Sequence, residues 1–162
     1  MKSSKSSLFL IELIISILFF SLASAACIQL FVKAHLLDKK TQETNQIVMW
    51  SQNLAELWYA SDGEIYPVYE KLVADYDAQH SYLSNDRRTI TLYFNKDWEL
   101  CDLKDASSFA YHIKFSESTV QDADYVKAAE IIFSKISGTD ATLLYSQSLT
   151  RHTTLERRDV HE

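Results

Sequence analysis

No glycine or proline occurs before Gly63, and the 162-residue chain holds only two glycines and one proline in all. Without those breakers, little stops a helix once it has started. From Leu8 to Val32 the residues are nearly all apolar, interrupted by Glu12, small hydroxyls and Gln29. That run is long enough to cross the ~30 Å hydrocarbon core of a bilayer as a helix. Beyond it, apolar or small residues recur at Leu30, Ala34, Leu37, Thr41, Thr44, Val48, Ser51, Ala55 and Trp58, in steps of three and four. Lys33, Asp38, Lys39, Lys40, Glu43, Asn45 and Gln46 fill the intervals, as on a solvated helix face. The pattern predicts one helix from Leu8 to about Tyr59, about 78 Å long at 1.5 Å per residue. "SDGEIYP", Ser61 to Pro67, supplies the stop.

Glu12 is the anomaly in this segment. A carboxylate within a spanning helix costs about 2.5–3.5 kcal/mol on insertion scales, and less near an end where it can snorkel. The other charges up to Lys33 are Lys2, Lys5 and Lys33 itself; the rest of the chain carries 13 basic and 21 acidic residues, a net of −8. An acidic body argues against nucleic acid as a direct partner, because phosphate binding needs clustered Lys and Arg. The pairs Arg87-Arg88 and Arg157-Arg158 fit solvated turn and tail positions.

Several readings of the N-terminal segment compete. Lys2 and Lys5 with "ASA" at Ala23-Ser24-Ala25 outline a cleaved secretory signal, and "SAAC" outlines lipoprotein processing before Cys27. Glu12 would then sit inside the apolar region of the signal, Ser24 is a weak lipobox residue, and "IQLFVKAHLLDKK" after Cys27 is no polar tether. A plain single-pass anchor holding an extracytoplasmic binding domain explains the hydrophobicity but not Glu12. It also predicts a helix break near Lys39-Lys40.

The stretch "SSLFLIELIISI" resembles the N-terminus of the type IV pilin and pseudopilin family: a short basic leader, a small residue at the cleavage point, four apolar residues, then Glu and a long apolar helix. Ser7 stands where that family usually has Gly. Leu8 would be the first mature residue, and Leu8, Phe9, Leu10 and Ile11 precede Glu12 at the family spacing. The helix lacks the Pro of many major pilins, which points to a minor or pseudopilin subunit. The resemblance covers only the first part of the chain. It implies cleavage between Ser7 and Leu8, N-methylation of Leu8 and a subunit-assembly role for Glu12. It further implies an α+β fold in which a long N-terminal helix, its first half in the membrane, packs on a C-terminal antiparallel β-sheet.

The organisation that follows is a leader at 1–7, a transmembrane or filament-core half-helix at 8–32, and an amphipathic half at 33–60. An antiparallel β head at 61–150 and a polar tail at 151–162 complete it. The implied function is structural, as a subunit of a type IV pilus-like, DNA-uptake or type II secretion filament, with no enzymatic activity. Implied partners are other pilin or pseudopilin subunits, a prepilin peptidase, a membrane assembly platform and the lipid bilayer. The implied location is the cytoplasmic membrane, N-terminus inside and head outside, then the cell-surface filament. Lys33, Lys39 and Lys40 nearly balance the leader lysines, so charge alone does not orient the span.

Within the head, "YEKLVADYDA", Tyr69 to Ala78, reads as a short helix or an irregular connection, and Ser84 to Arg88 as a turn. "TITLYFN" alternates with Ile90, Leu92 and Phe94 on one face and Thr89, Thr91 and Tyr93 on the other. Lys96-Asp97 turns into "WELC" as a hairpin. "FAYHIKF" alternates with Phe109, Tyr111, Ile113 and Phe115 inward. Ala128–Ile136 and Thr142–Leu149 flank "SGTD", a compact hairpin signal. The expectation is four or five antiparallel strands lying on the Val48–Trp58 stretch of helix. Trp58, Ile90, Leu92, Phe94, Ile113 and Phe115 are the expected core.

Motifs for chemistry are missing from this reading. Two glycines cannot build a phosphate-cradling loop. The five histidines (His35, His80, His112, His152, His161) show no metal-ligand spacing with one another or with Cys27 and Cys101. Asp75-Tyr76-Asp77 and Asp122-Ala123-Asp124 lack the ligand series of a calcium loop and read as solvated charge. No G-x-S-x-G sequence supports a hydrolase, and no cofactor or metal is expected. Cys27 lies in the apolar run and Cys101 far along the polar body, so the two read as separate thiols.

Overall fold

A computed structural model describes residues 4–77, 80–118 and 126–152, with side chains from Ser7 onward. The chain divides into two compact units, Met1–Asn45 and Gln46–Glu162. Helix α1 runs without interruption over Ser4–Ala60, 57 residues, and continues through Lys39-Lys40. In the first unit it is an isolated helix. Its apolar side chains are open, Phe20 at 75% and Phe31 at 78% exposure. Its most apolar window has a mean hydropathy of 2.4, long and apolar enough to cross a membrane.

The second unit begins inside α1. Ile47, Trp50, Ser51, Leu54 and Trp58 are buried, whereas Val48 is 47% exposed. The expected stripe of Val48, Ser51, Ala55 and Trp58 is thus corrected at Val48, where the larger neighbour Ile47 turns inward, while Ala55 packs half-buried against the core beside the fully buried Leu54. Burying a large apolar side chain contributes about 1.5–3 kcal/mol, so the bulkier residue of each adjacent pair decides which way the helix faces. α1 ends in a Schellman-type cap. Asp62 adopts φ 54, and the Gly63 N–H donates to the Trp58 carbonyl at 3.0 Å.

Helix α2, Ile65–Tyr76, starts earlier than the expected Tyr69 and contains Pro67 as its third residue. Pro67 therefore opens a helix rather than closing one, because a first-turn residue has no intrahelical acceptor for its N–H. Ile65, Val68 and Leu72 form its buried face. Ala78 lies outside the described residues.

Five antiparallel strands follow in the order β1-β2-β3-β4-β5: Ser81–Leu83, Thr89–Phe94, Tyr111–Ser118, Val126–Ser137 and Asp140–His152. β2 alternates half-buried and buried residues as the period-2 pattern predicts. Gly138, at φ 64, makes the two-residue β4–β5 turn. β5 runs through His152, two residues into the expected tail. The long helix thus packs against a five-stranded antiparallel sheet, the expected α+β layout. Trp58, Ile90, Leu92, Phe94, Ile113 and Phe115 are all within the core.

Two strand expectations are corrected. "WELC" makes only one bridge, Phe94↔Leu100, and no strand. Asn95 Oδ1 accepts the N–H groups of Asp97 and Glu99 at 2.9 and 3.0 Å, and Trp98 takes φ 62. This winds the chain into a closed turn before a ladder can grow. Phe109 precedes β3 instead of lying in its inward row, and it stacks on Tyr93, a ring of the opposite face, at 4.2 Å.

Gly63 adopts φ 74, and a Cβ there would sit 3.0 Å from Lys127 Cδ and 3.3 Å from the Trp58 ring. Gly63→Ala is expected to destabilise the head by about 1–2 kcal/mol from the left-handed backbone alone, with the Lys127 contact adding to it. Chemical denaturation of the two proteins measures the difference. Gly138→Ala, with open space around its Cβ position, provides the comparison that isolates the backbone contribution.

Candidate functional site

The site residues expected from sequence lie in the first unit. Ser7, Leu8 and Glu12 are all exposed in α1, Ser7 and Leu8 as neighbours and Glu12 about one turn further on. Leu8 and Glu12 are four apart and so share one face, one turn from each other. Ser16 follows a further turn along, its hydroxyl donating to the Glu12 carbonyl at 2.8 Å. The Glu12 carboxylate has no hydrogen-bond or ion-pair partner among the described residues. A lone carboxylate on an exposed apolar helix can act as the acceptor for a cation at the same depth, supplied by something outside this helix.

Cys27 and Cys101 are both free thiols, the first exposed and the second buried. The Ser108 hydroxyl donates to Cys101 Sγ at 3.3 Å, so that thiol is part of the packing under the 95–110 connection.

Among the described residues no three His, Cys, Asp or Glu side chains converge as metal ligands. Asp75 and Asp77 are exposed at the end of α2. Asp122, Asp124 and His161 lie outside the described residues, as does the Arg157-Arg158 pair. His35 and His152 are exposed. His80 sits with Nδ1 2.7 Å from the Tyr76 carbonyl. Arg88 pairs with Glu117 at 3.4 Å, and Arg87 places its guanidinium 4.8 Å above the Tyr66 ring.

His112 is half-buried beside Tyr93 on the sheet face away from the helix. Burial pushes its imidazole below the ordinary value of 6.5, and repulsion from Lys114 lowers it further. The unfolded chain therefore takes up a proton in acid before the folded one does, and stability falls as pH drops below the ordinary histidine range. His112→Gln is expected to flatten the decline in melting temperature between about pH 7 and about pH 5, measured by thermal denaturation. Asp86 also loses stabilising interactions in acid, but in a lower window. Its carboxylate is held below 3.8 by the Ser84 hydroxyl and the Arg88 N–H.

Sequence reasoning missed one concave feature in the head. A groove of about 400 Å³ is lined by Gly63, Glu64 and Tyr66, by Arg87, and by Glu117 and Lys127, among others. No local signal marks it, because its walls come from four separate stretches of chain. Comparisons with family models, with curated proteins and with solved structures find no match to this chain.

Proposed function

We propose that this chain is a prepilin-like subunit of a type IV pilus-like, DNA-uptake or type II secretion filament. The observation that carries the reading is Glu12, an unpartnered carboxylate one turn from Leu8 in an exposed apolar helix that continues without a break into the head. Cleavage after Ser7 would leave an ammonium at Leu8. On a neighbouring subunit, that charge meets Glu12 at the same depth and pairs with it in a low-dielectric core. The acid then disfavours the isolated chain in lipid and fixes how far the next helix slides in.

In this reading the chain is inserted in the cytoplasmic membrane with its N-terminus inside, processed by a prepilin peptidase, N-methylated at Leu8 and passed to an assembly platform. The head serves structure, priming or decoration of the filament and performs no catalysis. Its acidic balance makes direct nucleic-acid binding a poor fit. The test is recovery of the chain in a sheared filament fraction from cells carrying the assembly machinery, with Glu12 variants as the comparison.

A further inference from the structure

The two edges of the sheet differ sharply. β1 is three residues long and lies beside α2. β5 is thirteen residues long, and its outer side pairs with no strand among the described residues. From Ala141 to Thr150 it holds no charge, glycine or proline. Sheet edges are normally blunted by lysine, proline or a short strand, because an open row of backbone N–H and C=O groups recruits another chain. The one irregularity in β5 is the bulge at Leu144, where the register with β4 shifts. In so acidic a body, ten uncharged residues along an open edge stand out.

α1 turns this edge into a corner. The Ser51 hydroxyl bonds Gln147, and the Tyr59 hydroxyl donates to the Thr150 carbonyl at 3.2 Å, so one flank of α1 lies along β5. Val48, Ser51, Ala55 and Tyr59 follow in steps of three and four and share that flank. Trp50, on the opposite flank, meets Tyr76 and Phe94 instead. Val48 and Tyr59 are exposed beside the edge, as is Tyr145, which pairs with Phe133 and so faces the helix side. The Tyr59 bond occupies the Thr150 carbonyl, and the open stretch is Ala141–Leu149. Backbone donors and acceptors at strand spacing are satisfied together only by another extended backbone. An uncharged corner offers no partner to a charge buried in it.

We propose that this corner takes an extended, uncharged segment of another protein as a sixth strand, paired with Ala141–Leu149 and laying alternate apolar side chains on Val48, Ala55 and Tyr59. Backbone pairing supplies affinity in such an addition, and the alternate side chains supply selectivity. A second copy is the poorer occupant. Pairing β5 with β5 across a two-fold turns the two Gln46–Ala60 helices head to tail, whereas the apolar segment before Gln46 serves both copies from one side of a membrane. Apart from that placement, the edge binds such a strand whether or not the chain builds a filament.

The probe is the peptide acetyl-KSVTISVTK-amide, labelled on its last lysine and titrated by fluorescence anisotropy against the full-length chain in lipid nanodiscs. Saturable binding is expected, with slower amide exchange over Ala141–Leu149. A strand presents alternate N–H groups to opposite edges, so two methylated peptides separate pairing from adsorption. N-methylation at the apolar residues and N-methylation at the hydroxyl residues are expected to differ, one weakening binding about tenfold or more and the other less than about twofold. Val48→Lys is expected to weaken binding about tenfold with the melting temperature unchanged. Met49→Lys, on the exposed face of α1 away from the sheet, is expected to leave binding unchanged. Absence of binding would overturn the proposal, as would binding indifferent to which set is methylated. Slow exchange over Ala141–Leu149 without peptide, growing with protein concentration, would overturn it too, by assigning the edge to a second copy.

Discussion

Trp58→Ala is expected to abolish cooperative folding of the head, while Trp58→Phe leaves it folded with a lowered melting temperature. Trp58 is 0% exposed and stands in the last turn of α1, where its carbonyl accepts the N–H groups of Ser61 and Gly63. Its side chain is thus at the point where the helix ends, and it shares one cluster with β2, β3 and β4. Removing a buried tryptophan costs about 3–5 kcal/mol, a large share of the 5–15 kcal/mol by which a domain is usually stable. The indole N–H has no protein acceptor among the described residues, so phenylalanine breaks no hydrogen bond and leaves only a partial cavity. Thermal and urea unfolding, followed by circular dichroism in detergent, separate the two variants. A melting temperature for Trp58→Ala within a few degrees of the unmodified chain would contradict the core assignment.

Glu12→Ala is expected to remove the chain from filaments without reducing its insertion into membranes. Insertion gains, because the substitution deletes a charge whose burial in lipid costs about 2.5–3.5 kcal/mol at mid-membrane depth. Assembly loses, because truncating one member of a buried charge pair costs about 2–5 kcal/mol and strands the other charge. The two effects have opposite signs, which separates a pairing role from a mere tolerance of the acid. Glu12→Gln sharpens the result: it keeps the shape and the hydrogen-bonding carbonyl but not the charge, and is expected to behave like alanine. Quantifying the chain in membrane and sheared-filament fractions decides it. Unchanged incorporation of both variants would remove the role given to the carboxylate.

The helix and most of the sheet were legible because both obey strict periods over many residues. The absence of glycine and proline before Gly63 favoured one continuous α1 over an anchor broken near Lys39-Lys40, and strict alternation located β2 and β3, with the compact turn between β4 and β5. Short or irregular features escaped. β1 has three residues, too few for an alternation to be recognised. Pro67 reads as a breaker until its place in a first turn is known. Trp98 in a left-handed conformation turns "WELC" aside, and no propensity of tryptophan suggests it. On the helix, pairs such as Ile47-Val48 offer two apolar neighbours for one inward position, and packing against the sheet chose the larger. The residues expected at the assembly site lie where the helical spacing puts them, one turn apart on one exposed face. The head groove had no sequence signal, since residues 63–66, 87, 117–118 and 126–128 meet only once the sheet is built.

The mass of the mature N-terminus tests the central claim most directly. The chain would be expressed with a prepilin peptidase, purified from membranes and sequenced from its first residue by tandem mass spectrometry. The account predicts a chain beginning at Leu8, with a methyl group on its α-amine. A chain beginning at Met1 despite an active peptidase, at Ala26 after signal cleavage, or at a lipidated Cys27 would contradict it.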